Sequence, residues 1–287
     1  MQYYLLYLRI YADLPGFTRS IYRRNYALIT PESHVFAGNP LWYVHVHVFH
    51  IGTYIYNPFT VYPCVYVHAC RKNALTAHLI SPTVGANFAM YLVTMKSNST
   101  GVPPAPGIER FMFILDGVVQ ASINKKGAVS LHADQYAYLP PNTKYTVTSE
   151  HGAGLLIYER KYAIERAGAA PIFQHGTVSE HPVLPVDGEV FVLRKLLPQT
   201  EDYDFNIHVM DFLPGEYLNV KEVHYNQHGL LLLAGKGVYR LGDEWMPITK
   251  GDAVWMAPYC PQWYAALGPD PSRYILYKDT TVDPLEG

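Results

Sequence analysis

A repeated series of short strands constrains this chain more than any other feature. Residues 109–123 (ERFMFILDGVVQASI) parallel residues 228–241 (HGLLLLAGKGVYRL). Residues 133–145 (ADQYAYLPPNTKY) parallel 251–263 (GDAVWMAPYCPQW), and 155–162 (LLIYERKY) parallel 274–281 (YILYKDTT). Each run is short, apolar or aromatic, and bounded by Gly or Pro, the pattern of a strand. The runs recur in one order, which predicts two copies of one all-β unit. The 21 Gly, 22 Pro and 25 Tyr supply the turns and half-buried strand positions that such a fold needs.

The second copy carries candidate chemistry. Glu222, His224 and His228 offer three ligand side chains within a few residues. On a strand, Glu222 and His224 share a face. The apolar run Gly229 to Ala234 follows and ends at the turn formers Gly235 and Gly237. Gln262, after the strand-like run 251–258, is a fourth candidate. Two imidazoles, a carboxylate and an amide oxygen, with no thiolate, suit Mn²⁺, Fe²⁺ or Zn²⁺, and the ligand types alone do not choose. One carboxylate leaves the site with a net positive charge, which favours an anionic ligand and a bound water of lowered pKa. Cys260 is near Gln262 but is not counted as a ligand. Upstream, residues 203–212 alternate, with Phe205, Ile207 and Val209 on one face and Asn206, His208 and Met210 on the other; His208 reads as a hydrogen-bonded wall residue. In the last strand, Arg273 to Asp279, period two puts Tyr274, Leu276 and Lys278 together. Facing inward, Lys278 needs an anion; in the opposite register it caps a sheet edge.

Matching Gly117 to Gly235 puts Pro104, Pro106 and Arg110 at the first copy's ligand places, with Lys144 or Tyr145 at the fourth. Neither set can hold a divalent cation, and Arg110 repels one. The first copy is therefore expected to be metal-free and structural.

These motifs resemble those of the cupins, G-x5-H-x-H-x3,4-E-x6-G and G-x5-P-x-G-x2-H-x3-N. Glu222 stands at the first His place, His224 at the second, His228 at the Glu place and Gln262 at the second motif's His. Gly215 and Pro258 are each displaced by one residue, which concerns turns and not ligands. Glu, His, His and Gln in this order, in KEVHYNQHGLLLL and MAPYCPQWYAALG, look like the (S)-ureidoglycine aminohydrolases, the plant form above all. The likeness covers about residues 14–40 and 74–285. It implies two cupin (jelly-roll) barrels in tandem: an arm at 1–40, a metal-free barrel at 74–163, a linker at 164–188 and a metal-bearing barrel at 189–287. It also implies Mn²⁺ on Glu222, His224, His228 and Gln262. The implied activity is release of ammonia from (S)-ureidoglycine to give (S)-ureidoglycolate in ureide breakdown. By the resemblance Glu222 and Lys278 are catalytic. Tyr274 and Lys278 hold the substrate's carboxylate and ureido group, Glu222 and Gln262 contact the departing amine, and Tyr239 lines the pocket. A homo-oligomer and an endoplasmic reticulum location are implied as well. The alternative is a non-catalytic, storage-type bicupin that keeps a metal, although such a barrel needs no inward lysine.

Residues 41–73 fall outside the resemblance, and no Asp, Glu, Lys or Arg lies between Glu32 and Arg71. His45, His47, His50, Pro58 and Pro63 interrupt any membrane span. The three histidines make only a weak metal signal, having no acidic partner. The segment reads as an insertion, a retained intron in the gene model, with a disordered or poorly packed outcome and an aggregation hazard. A net charge of −2 with 16% charged residues gives no basic surface for nucleic acid. Cys64, Cys70 and Cys260 are no disulfide framework and read as free thiols. Residues 1–11 are apolar but short, without the marks of a signal peptide.

Overall fold

A computed structural model describes the backbone of residues 5–12, 42–49, 62–63, 70–123, 127–163 and 170–280, and the side chains from residue 73 onward within those ranges. In chain order the strands are β1 (Leu5–Ala12), β2 (Trp42–Phe49), β3 (Tyr62–Pro63), β4 (Cys70–Ile80), β5 (Phe88–Gly101), β6 (Ile108–Ile123), β7 (Ala128–His132), β8 (Gln135–Leu139), β9 (Tyr145–Ser149), β10 (Ala153–Lys161) and β11 (Gln174–Thr177). The second half holds β12 (Val192–Lys195), β13 (Phe205–Phe212), β14 (His228–Ala234), β15 (Lys236–Leu241), β16 (Glu244–Thr249), β17 (Asp252–Met256), β18 (Gln262–Ala266) and β19 (Ser272–Asp279).

The first sheet runs β11-β8-β6-β10-β5-β4-β3. β9 pairs with the far ends of both β5 and β6, which curls that sheet into a barrel. The second unit repeats the plan with the sheet β12-β13-β19-β14-β17-β1-β2 and the smaller sheet β16-β15-β18. Gly117 and Gly235 hold equivalent turns, at φ 73° and 72°. A Cβ there would lie 2.4 Å from the carbonyl oxygen of Gly152 and of Pro271 respectively, so only glycine lets these strands approach.

Strand burial shows where the cores lie. On β10, Ala153 through Tyr158 are all buried, so both faces are covered. Leu155 and Ile157 point into the first barrel with Val93, Met112 and Val147. Leu156 and Tyr158 point the other way, into a layer shared with Phe205, Ile207, Trp255 and Tyr277 of the second unit. That layer packs the two sheets face to face, with the Phe88 and Tyr277 rings stacked at 4.0 Å. A third cluster, with Leu230, Leu232, Val254, Tyr264, Tyr274 and Leu276, fills the second barrel.

Several sequence expectations are corrected. The mostly apolar stretch 84–95 reads as a strand by its pattern, but the strand begins only at Phe88, because Pro82–Val84 forms a 3₁₀ turn that Gly85 closes at φ 97°. Pro82 fixes a helical φ at the start of that turn, which outweighs the apolar run. The stretch 189–197 reads as a strand that opens the second barrel, but only Val192–Lys195 forms one. Within the expected linker, Gln174–Thr177 forms β11 and extends the first sheet by pairing with β8. In the 41–73 segment, the backbone of Trp42–Phe49 pairs antiparallel with Leu5–Ala12, which in turn pairs with β17. Tyr62–Pro63 pairs with β4, and residues 50–61 and 64–69 of the segment lie outside the described residues.

Candidate metal centre

The candidate ligands gather at one end of the second barrel. His228 begins β14, flanked by Met256 on β17 and Lys278 on β19. Glu222 and His224 are not on a strand as expected. They lie in the irregular stretch before β14, and two contacts shape it. Glu222 and Gln262 form an isolated bridge with reciprocal N–H···O bonds of 2.9 Å, and the Tyr259 amide donates to the His224 carbonyl at 2.7 Å. Tyr259 adopts φ 60° to make that turn. The loop is thus tied to β18, and the tie brings Gln262 to the ligands.

The ligand atoms of Glu222, His224 and His228 all lie within 4.8 Å of one another. His228 Nε2 is 3.2 Å from His224 Nε2, Glu222 Oε2 is 3.5 Å from His224 Nε2, and the Gln262 amide nitrogen is 3.1 Å from that same atom. Around one cation with bonds of about 2.1 Å, ligand atoms stand roughly 3 to 4.3 Å apart, so the donor set fits with small adjustments. His228 Nδ1 lies 3.2 Å from the Tyr277 carbonyl. A carbonyl accepts only, so the hydrogen sits on Nδ1 and the Nε2 lone pair faces the other ligands, the usual support of a metal-bound imidazole. A half-turn of the Gln262 amide, which the hydrogen-bond network leaves open, turns its oxygen to the same point; Tyr239 OH lies 3.5 Å from that oxygen.

Electrostatics suit the same chemistry. The hydrogen bond from His224 holds the Glu222 carboxyl below its usual range, helped by the Lys278 charge and opposed by burial. Burial, with the charges of His224 and Lys278, pushes His228 well below the ordinary imidazole range. Glu222 is thus anionic and His228 neutral at neutral pH, the forms that ligate.

Tyr274 and Leu276 belong to the second barrel's interior cluster, so Lys278, two further along β19, faces the same interior. It is half-buried, and burial lowers its pKa against the pull of Glu222 and Asp279. Tyr274 and Tyr239 are buried in the barrel, at 1% and 2% exposure. His208 lies on the same inward face, beside the lysine.

Pseudo-symmetry extends to the first barrel. There Arg110 on β6 faces Glu159 on β10 and Leu139 on β8, the positions of His228, Lys278 and Met256. The Arg110 guanidinium donates to Glu159 at 2.7 Å, to the Val102 carbonyl at 2.7 Å and to the Tyr145 hydroxyl. Tyr145, not Lys144, takes the Gln262 place, as the first residue of β9. A fixed organic cation stands in the first barrel where the second gathers metal ligands. Pro104 and Pro106 lie in the connection between β5 and β6 and carry no ligand atom in their side chains.

No protein-family model matches the chain. It is 50% identical over 273 residues to the probable (S)-ureidoglycine aminohydrolase of Oryza sativa subsp. japonica, spanning 95% of this chain and 79% of the relative. It is 48% identical over 274 residues to the (S)-ureidoglycine aminohydrolase of Arabidopsis thaliana, spanning 95% and 82%. Among solved structures, protein Ylba from Escherichia coli superposes with TM-score 0.67 at 27% identity, covering 79% of this chain and 89% of that one. A cupin 2 conserved barrel domain protein from Leptotrichia buccalis superposes with TM-score 0.54 at 14% identity, covering 72% and 89%, a likeness of fold alone.

Proposed function

The chain belongs to the (S)-ureidoglycine aminohydrolase family, and on that premise we propose that its second barrel hydrolyses (S)-ureidoglycine to (S)-ureidoglycolate and ammonia with Mn²⁺ as cofactor, a step of ureide breakdown. The observation that carries this reading is the convergence of Glu222, His224 and His228 on one point beside Gln262, with Lys278 facing the same interior. Glu222, His224, His228 and Gln262 would hold the ion. When bound, a divalent cation offsets the charge of Glu222 and lowers the pKa of a bound water.

The chain's own residues then divide the work. Lys278 pairs as a compact charge with the substrate carboxylate. Tyr274 donates a hydrogen bond that fixes one face of the substrate, and Tyr239 closes the pocket beside Gln262. Gln262 and Glu222 contact the departing amine. Water adds its oxygen at the carbon bearing that amine, the C–N bond breaks, and one water proton ends on the nitrogen that leaves as ammonia. Glu222 is the anionic group placed to carry that proton. Holding a small chiral substrate at three points accounts for selection of the S form.

The test is ammonia release from freshly generated ureidoglycine by metal-stripped protein, with and without added Mn²⁺. Release that needs Mn²⁺ and yields (S)-ureidoglycolate supports the reading. A metal-loaded protein that does not outpace the spontaneous breakdown of ureidoglycine rules it out.

A further inference from the structure

Three adjacent strands carry Lys195, His208 and Lys278 on one face of the second barrel, with Lys195 at the rim, where its amine is exposed. Leu193 on β12, Met210 and Phe212 on β13, and Tyr274 and Leu276 on β19 all belong to that barrel's interior cluster. Side chains two apart on a strand share a face, which places Lys195, His208 and Lys278 with them. Lys195 lies directly across from His208, and Lys278 lies across from Asn206, one step along the same face. His208 is 8% exposed; no hydrogen bond among the described residues engages its ring, and its ring nitrogens are not sealed from the pocket. Its neighbour Asn206 is already committed, bonding the Leu197 amide and carbonyl at 3.3 and 2.8 Å. The Lys195 amine bonds the neutral Gln199. Burial, then the charges of Lys278 and Lys195, push the His208 imidazole down to about 3.

An imidazole edge that opens to a pocket without a protein partner is satisfied there by water or by a ligand that displaces it. This one stands beside the lysine assigned to a carboxylate. A neutral ring offers one donor and one acceptor, which matches a neutral group that carries both N–H and C=O. We propose that His208 is a further substrate-binding residue, bonding the ureido group of a ligand whose carboxylate sits on Lys278, with Lys195 as the positioning residue across the strand. The proposal rests on the reading of this barrel as a ureidoglycine site.

The experiment uses full-length, Mn²⁺-loaded protein and two unreactive probes. N-carbamoylglycine has the carboxylate and the ureido group but no departing amine; glycolate has a carboxylate and no ureido group. Calorimetric titration of His208→Ala is expected to show affinity for N-carbamoylglycine reduced by about tenfold, with glycolate unchanged. His208→Gln, which keeps a donor and an acceptor, is expected to recover part of the loss. Manganese affinity is expected to be unchanged in both variants. In metal-free Lys195→Met the midpoint for protonation of the His208 ring, followed by NMR, is expected to lie above that of metal-free wild type, because a neighbouring positive charge has gone. Equal affinity of wild type and His208→Ala for N-carbamoylglycine overturns the proposal, as does parallel loss of both probes or of manganese, which marks a wall residue. Wild type that binds N-carbamoylglycine no better than glycolate overturns it too. An unmoved NMR midpoint removes the role of Lys195. Failure of the functional reading is separate: wild type then binds N-carbamoylglycine through His208 yet releases no ammonia from ureidoglycine.

Discussion

A lysine amine in a barrel interior is costly unless a negative charge meets it, and Lys278 is half-buried with its pKa lowered by that burial. Methionine keeps the length and apolar stem without the charge. Lys278→Met is therefore expected to lower kcat/KM on ureidoglycine by about ten- to a hundredfold, the worth of one charge-assisted hydrogen bond. Manganese affinity, measured by titration, should not fall, and thermal stability should be equal or higher. Activity within twofold of wild type would remove the anchor. At this scale the candidate ligands that converge in the structure were legible in the sequence. Metal ligation demands particular side chains at short spacing, and Glu222, His224, His228 and Gln262 supply them. The argument from strand parity served Lys278 but not Glu222 and His224, which a loop and not a strand brings together. His208 was readable only as a wall, because the two lysines that flank it come from strands whose pairing no local pattern reveals.

The element that matters most for the metal is the stretch from Glu222 to His228, and the first barrel helps to hold it. Asp279 accepts from the Gln227 amide at 2.7 Å and from Asn87 Nδ2 at 2.9 Å, and the Asn87 amide donates to the Gln227 side chain at 3.2 Å. Asn226 donates to the Asp279 carbonyl at 2.6 Å. These bonds fix the chain just ahead of His228, so the first barrel helps to orient the candidate ligands of the second. Asp279→Ala should weaken manganese binding by about tenfold, the lower end for groups that support metal ligands. Asn87→Ala should weaken it less, because Asn87 is itself exposed. Manganese titration followed by EPR checks both, and unchanged affinity in both would mean the loop needs no such support. Contacts of this kind join positions far apart in sequence and leave no periodicity, so sequence reading missed them. Strand ends escaped it for a different reason: the run from Val84 to Met95 is mostly apolar, but Pro82 and Gly85 impose a turn that hydropathy does not register.

Across the whole molecule, the two barrels meet through a layer that is apolar except for a few buried ionisable groups, and one of them makes stability depend on pH. Glu109 is fully buried and receives the Tyr138 hydroxyl. Burial, and then the hydrogen bond and charge of Asp204, raise its carboxyl far above the ordinary range, to about 10. Asp204 is itself fixed by Arg160 at 3.4 Å and by the Ala163 amide at 3.0 Å. Glu109 therefore keeps its proton at neutral pH. An unfolded Glu109 loses its proton near the ordinary carboxylate pKa, whereas the folded one keeps it. Between those values the native state binds the extra proton, so this group's contribution to stability falls as pH rises, by at most about 1.4 kcal/mol per pH unit. The repeat made two tandem units legible, but not this pair, since Glu109 and Asp204 come from different units and meet only when the barrels dock. Glu109→Gln keeps a hydrogen-bond donor toward Asp204 and removes the titration. Its urea midpoint should exceed that of wild type at about pH 9, and the difference should shrink steadily toward about pH 5. Two stability curves that stay parallel across that range would show that Glu109 is already ionised in the folded protein and contributes no pH dependence.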